Sequence, residues 1–349
     1  MPTYRVGIIG LSWITTQPAA PGTHPVLGLT VPGSHAAALA RIPATTVVAG
    51  CDIVPEARER FVETWSSTWP DLTVHDDATT MLDTEELDIV TVATPDHLHG
   101  DIVRRAAASG VKGIFAEKPL SHELADADAM IDAIERHGVP VNVNFTRRWM
   151  PPYVAARERI RAGAIGDLVQ VTIHFGGPRA MLWRNHSHFL DLMTYFAESD
   201  PAWVMAELEA GHENYGTVYR GDGGRSPELE PGVNAYIAYD NGVRGFLGGF
   251  KRGAQQVDVE LVGSEGRIVV NDQGATEVIQ TERGLTATPI VPRGTVQGQE
   301  AALRDLIHAI ETGEPVQSPP REARKTVAVI EAILQSQASG NRRVDVTPG

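Results

Sequence analysis

Lys118 stands between Glu117 and Pro119, directly after the run Val111-Lys112-Gly113-Ile114-Phe115-Ala116. An apolar stretch behind a glycine reads as a buried parallel strand. An amine at the carboxyl end of such a strand lies where open α/β sheets bind their ligands. It can accept or return a proton there if burial or a nearby cation lowers its pKa. The carboxylate of Glu117 opposes that shift unless it points away. On an exposed loop the two side chains would only pair with each other. A second group lies further on: Arg184, His188 and Asp191 fall at i, i+4 and i+7, one face of an α-helix. An imidazole can share a proton, and a carboxylate three residues later can orient the ring or hold a ligand hydroxyl. Alone, such a histidine reads as a satisfied core residue; Asp191 and Lys118 favour the chemical reading. His186, His188 and Asp191 have metal-ligand side chains, but no further ligand pattern accompanies them, so no metal site is expected.

The elements that must position these groups alternate in the first part of the chain. Strands are expected at 5–9, 45–51, 88–93, 111–116 and 140–145, with a short element at 72–74. Helices are expected at 34–40, 55–66, 99–109 and 122–137; Pro55 is well placed as an early helical residue, and Gly110 and Gly138 as stops. Such alternation implies a parallel sheet with helices on both faces. The second part opens with a helix at 152–163 and a strand at 168–176. Then come strands in hairpins: 233–239 meets 245–247 across Asp240-Asn241-Gly242, and 257–262 meets 267–270 across Gly263-Ser264-Glu265-Gly266. Residues 211–232 read as an exposed loop, and helices at 298–311 and 321–337 end the chain.

After the first strand comes Gly10-Leu11-Ser12-Trp13-Ile14-Thr15. Gly10 suits the first glycine of a dinucleotide-binding turn. Ser12 replaces the second glycine, and Thr15, with a branched Cβ, is a poorer fit for the third small residue. About sixteen extra residues, Gln17 to Pro32, then intervene, rich in Pro and Gly. They predict an ordered loop with little regular structure; folded over the ligand crevice, it would restrict the substrate or retain the cofactor. Asp52 lies about twenty residues after Gly33, the spacing of a ribose-binding acid once that insertion is discounted. No Arg follows within Ile53-Val54-Pro55, which favours NAD over NADP; Asp52 also suits a cap for the next helix.

Together with Thr94-Pro95-Asp96-His97-Leu98-His99 and Asn144-Phe145-Thr146-Arg147-Arg148-Trp149, this series resembles the Gfo/Idh/MocA family of nicotinamide-dependent sugar and cyclitol oxidoreductases, over about residues 4–338. The resemblance implies an N-terminal Rossmann domain with a doubly wound parallel sheet (1–146) and an α+β C-terminal domain with a large, mainly antiparallel open sheet (147–349). It implies NAD contacts from Gly10, Leu11, Ser12, Trp13, Ile14, Asp52, Ile53, Ala93, Thr94, Pro95, His97, His99, Glu117, Lys118 and Asn144. Lys118 becomes the proton-transfer residue, helped by His188 and Asp191, and Arg148, Trp183, Arg184 and His186 become substrate contacts. Arg184 departs from the acid of the family pattern. A guanidinium is no base at neutral pH, but it can donate to a carboxylate, a phosphate or a sugar oxygen. Trp13 and Trp183 suit stacking on sugar CH groups or plain packing. The leading expectation is oxidation or reduction of a secondary alcohol of a sugar, glycoside or cyclitol. NAD-assisted glycoside hydrolysis or elimination, or a sensor without turnover, are the alternatives; net NADH formation separates the first from the rest.

Composition agrees with an ordinary globular chain: 349 residues, 42% hydrophobic and 21% charged. A net charge of −14 argues against nucleic acid or an anionic membrane as partner. No apolar run spans a bilayer and no leader pattern opens the chain, so the expected compartment is the cytoplasm. The single cysteine, Cys51, excludes an intrachain disulfide and reads as a core residue. A homodimer or homotetramer through the C-terminal sheet is expected, because the open sheet face needs cover.

Overall fold

The computed structural model describes residues 3–18, 33–216, 225–254, 256–282, 284–294 and 296–349. They fall into two compact units, Met1–Thr146 with Thr295–Ala323, and Arg147–Gly294 with Arg324–Gly349.

The first unit contains β1 (Tyr4–Ile9), α1 (Trp13–Thr16), α2 (His35–Leu39), β2 (Thr45–Cys51), α3 (Pro55–Trp65), β3 (Thr73–His75), α4 (Ala78–Thr84), β4 (Ile89–Val92), α5 (His99–Ala108), β5 (Gly113–Ala116), α6 (Leu124–His137) and β6 (Val141–Val143). The six strands form one sheet in the order 3-2-1-4-5-6, and every pairing is parallel. Each residue of β4 and β5 is buried, as expected where helices cover both faces. The strand order reverses between β1 and β4, which makes that edge the topological switch point. Gly138 ends α6 in the left-handed conformation, φ 65°. Helix α4 was not expected from the pattern, because only Met81 and Leu82 turn inward. Its start was signalled, however: the Asp77 carboxylate accepts the Thr80 N–H at 2.7 Å.

The chain after β1 forms two helical pieces. Ser34 Oγ donates to Gln17 O (2.5 Å) and accepts the Ala37 N–H (3.1 Å) as the cap of α2. One hydroxyl thus ties the first residue of the insertion to the helix after it. Most of the expected loop, 19–32, lies outside the described residues, and so does its expected position over a crevice.

The second unit contains α7 (Pro151–Arg161), β7 (Leu168–Gly176), α8 (Ser187–Ala197), β8 (Pro201–Leu208), β9 (Val233–Tyr239), β10 (Arg244–Phe250), β11 (Gln256–Gly263), β12 (Gly266–Asn271), β13 (Gly274–Thr281) and β14 (Gly284–Ile290). Helix α9 (Gly298–Thr312) belongs to the first unit, and α10 (Pro320–Ala338) and β15 (Val344–Asp345) follow. The sheet runs 14-13-12-11-7-10-9-8-15. Both expected hairpins form, β9–β10 and β11–β12, with Gly242 supplying φ 92° in the first turn. Within this antiparallel sheet β7 and β10 pair in parallel. Alternate residues such as Val171, Ile173, Val259 and Leu261 are fully buried, and α7 and α8 pack against the sheet. Strands β8, β13, β14 and β15 were not expected; β14 is an edge strand with five of its seven residues exposed, so it shows no period-two burial. The expected exposed loop 211–232 is corrected at its end. Pro231 and Gly232 are buried, and Glu230 is 1% exposed.

Candidate active site

At the switch point, Gly10 follows β1 with φ +90°. A Cβ there would lie 2.5 Å from Ala93 O and 2.9 Å from Thr94 N, so the turns after β1 and β4 approach as closely as only glycine permits. Thr15, expected to fit poorly, is fully buried. Its hydroxyl lies 2.6 Å from Gly10 O and 2.9 Å from Ser12 O, with one proton to share between them, and holds the turn from inside. Asp52, just beyond β2, accepts the Leu11 N–H (2.8 Å) on one carboxylate oxygen and the Val54 N–H (2.9 Å) on the other. It therefore braces the turn and the start of α3, and each oxygen keeps acceptor capacity. Ser12, Trp13, Ile53, Pro95 and His97 are exposed around this edge, and Ile14 and Thr94 half-buried. Cys51 is buried, and burial followed by the charge of Asp52 pushes its thiol up to about 12, so it is no nucleophile.

Glu117 is 9% and Lys118 7% exposed, and the Lys118–Pro119 bond is cis. Glu117 Oε1 accepts from Asn144 Nδ2 at 2.6 Å and lies 3.0 Å from His35 Nε2. Burial acts to raise the Glu117 pKa. The hydrogen bond and charge of His35, then the charge of Lys118 and the Asn144 amide, outweigh it and hold the carboxyl below the usual range. Glu117 is thus turned towards β6 and α2. Two buried histidines brace the loop that follows. His99 Nδ1 lies 3.0 Å from Pro119 O and its Nε2 2.9 Å from Thr94 O, and His122 Nε2 lies 3.3 Å from Asp96 Oδ2.

Two residues expected to touch the cofactor are buried and engaged with other protein groups. His99, 1% exposed, has both ring nitrogens against backbone carbonyls. Asn144, also 1% exposed, is spent on Glu117. His35 and His122 are buried as well.

In the second unit, Leu182–His186 is a π-helical turn leading into α8. The His186 N–H reaches back five residues to Met181 O at 2.8 Å. Glu230 Oε2 accepts the N–H of Trp183 (2.8 Å) and of Arg184 (3.2 Å) at the start of that turn. The π-turn corrects the expectation that Arg184, His188 and Asp191 share one α-helical face, because Arg184 precedes α8 and the extra residue shifts its direction. Trp183 and His186, expected as substrate contacts, have no exposed surface; in this conformation neither can touch a ligand. Among the described residues neither ring nitrogen of His186 has a hydrogen-bond partner. Burial, then the charge of Lys251, push its pKa down to about 3. Arg148 and Asp191 pair with each other: Nε lies 2.9 and 3.2 Å, and Nη2 2.8 Å, from the carboxylate oxygens, at 3% and 2% exposure. His188 and Arg184 remain half-buried.

Residues 4–145 match the model of the oxidoreductase family with an NAD-binding Rossmann fold, and residues 153–269 match the GFO/IDH/MocA C-terminal domain. The chain belongs to the GFO/IDH/MocA family. Among its relatives are scyllo-inositol 2-dehydrogenase (NAD(+)) of Bacillus subtilis, 28% identical with 73% of each chain covered, and D-apiose dehydrogenase of Paraburkholderia graminis, 28% identical over 76% of this chain and 74% of that one. Aldose-aldose oxidoreductase of Caulobacter crescentus, solved with glycerol, shares the fold: TM-score 0.77 at 21% identity, covering 99% of this chain and 100% of that one.

As a GFO/IDH/MocA oxidoreductase the chain carries an NAD-binding Rossmann domain, and its residues fit that cofactor. The Gly10 position leaves bare backbone at the switch point, and the half-buried Asp52 carboxylate stands at the tip of β2, where a ribose is recognised. Sequence reasoning missed His35, Asp96, His122 and Glu230 as supports of these groups. The only local signal was residue type, since each partner is remote in the chain.

Proposed function

We propose that this oxidoreductase transfers hydride between NAD and a secondary alcohol of a sugar, glycoside or cyclitol. The observation that carries the reading is Lys118, held at the carboxyl end of β5 with its neighbouring carboxylate turned onto His35 and Asn144. The inositol and apiose dehydrogenases named among the relatives support the substrate class. Bound NAD supplies the hydride acceptor. Lys118 takes the hydroxyl proton at Nζ, and in the second unit His188 is the proposed hydrogen-bonding partner of a substrate hydroxyl. Arg184 donates to another substrate oxygen, in place of the acid that the family pattern carries there. A screen of polyols and aldoses at the NADH absorbance, run in both directions, tests the reaction. In the same screen Lys118→Ala is expected to lose on the order of 10²–10⁴ in rate while still binding NAD in a titration. Near-normal single-turnover rates in that variant would remove Lys118 from its role.

We also propose that the protein is a homodimer or homotetramer assembled through the nine-stranded sheet. One face carries the ring row Trp203–Tyr236–Phe246, with centroids 5.1 Å apart at each step, beside Met205, 43% exposed. Aromatic surface of this kind is costly in water and typical of interfaces. Among the described residues no helix is long and apolar enough to cross a membrane. The cytoplasm stays the proposed compartment.

A further inference from the structure

The geometry points to Asp191 as a positioning residue that acts through Arg148, not as a residue that touches substrate or moves the proton. This rests on the dehydrogenase reading above, and it reassigns two side chains first expected in the chemistry. The pair is buried, and the guanidinium meets both carboxylate oxygens. A planar guanidinium held this way fixes direction as well as distance. Arg148 also lies over the Tyr195 ring, 5.5 Å from its centroid, so it grips α8 at two points one turn apart. The preceding residue grips the same helix elsewhere: Arg147 lies 4.6 Å over the Phe189 ring and pairs with Asp272 at 3.0 Å. Phe189 follows His188 directly, and Asp191 comes one turn later. The Arg147-Arg148 dipeptide therefore holds α8 at three residues that follow His188: Phe189, Asp191 and Tyr195.

The clamp has a reason to exist in the turn that precedes the helix. A π-turn adds a residue to the helical repeat, and its register must be held from outside. At its start, Glu230 bonds two N–H groups; at its end, the Ser187 hydroxyl donates to Trp183 O at 2.6 Å. Beyond that point the direction of His188 depends on how α8 is rotated about its axis. The Arg148–Asp191 fork sets that rotation from inside the unit.

The test compares wild type, Asp191→Asn, Arg148→Lys and the neutral pair Asp191→Asn with Arg148→Gln. Each is read by kcat, KM, NAD affinity and the imidazole resonances of His188 in nitrogen-15 NMR. Asp191→Asn removes the carboxylate charge that the buried guanidinium meets. It is expected to lower kcat at least 100-fold, with NAD affinity within twofold, and to move the His188 resonances. The neutral pair restores an amide contact without charge and is expected to bring kcat back to within tenfold of wild type and return the resonances. If Asp191→Asn does not fold, Arg148→Lys decides: it keeps the charge, loses the fork and is expected to lower kcat about tenfold with an unchanged pH profile. The proposal is overturned if a folded neutral pair is as inactive as the single variant, for the carboxylate would then take part in the chemistry. It is equally overturned if the folded single variants keep wild-type kcat and His188 resonances while only melting earlier. Should the wild type oxidise no alcohol at all, the dehydrogenase reading fails, and the His188 resonances still decide the clamp.

Discussion

His186 gives the chain a specific sensitivity to mild acid. The ring is fully buried, finds no hydrogen-bond partner among the described residues and feels the positive charge of Lys251. Burial and that charge hold its pKa at about 3, against 6.5 for a free imidazole. In the folded protein it therefore stays neutral, while in the unfolded chain it takes a proton once the pH falls below about 6.5. The unfolded state binds more protons throughout that window, so the stability present above pH 6.5 is lost as the pH drops towards 3. Each pH unit below the unfolded pKa costs about 1.4 kcal/mol. At pH 5 the loss is about 2 kcal/mol, or roughly 4–8 °C in Tm for a unit of this size. Other groups titrate in the same range, so the measurement is a comparison. Scanning calorimetry of wild type and His186→Leu at pH 7, 6 and 5 should show the variant's Tm falling about 4–8 °C less over the range. Parallel curves for the two proteins would refute the reasoning, because they would mean that the folded ring takes a proton as readily as the unfolded one.

Gly10→Ala should cost about 1–2 kcal/mol for the left-handed backbone alone. It should also raise the NAD Kd more than tenfold, since the new methyl meets Ala93 O at 2.5 Å; an unchanged titration would mean that the turn does not cradle the dinucleotide. Asp52→Ala should weaken NAD by about tenfold or more, the effect of losing a charged hydrogen-bond acceptor, while NADP changes less; equal NAD and NADP affinities in the wild type would sink the assigned ribose contact. Light scattering at micromolar concentration should give at least a dimer, and placing Glu at both Tyr236 and Phe246 should dissociate it. A wild-type monomer would exclude assembly through the sheet.

What the sequence determined by itself was the part of the structure that local pattern encodes. An apolar run ending in a Pro turn placed β4 and an apolar run after Gly110 placed β5, and the residues of both are buried. Asp240-Asn241-Gly242 announced its hairpin, because a turn that needs φ above zero selects its residues. The position of Lys118 at the end of β5 followed from the same patterns, as did Gly10 and Asp52 at the tips of β1 and β2. Weakly patterned elements escaped: α4 turns only two apolar residues inward, and the edge strand β14 has no buried face. The tertiary structure alone decided which polar groups serve each other. Glu117 meets a histidine 82 positions away, and Arg148 meets an aspartate 43 away. Helical spacing put Arg184 on the face of His188 and Asp191, and one backbone bond from His186 to Met181 O undid that register. Residue type marks a side chain as able to carry charge or share a proton. Whether it faces a ligand, a counter-charge or only other protein depends on contacts between segments far apart in the chain, and these form when the core excludes water and each buried polar group must find a partner.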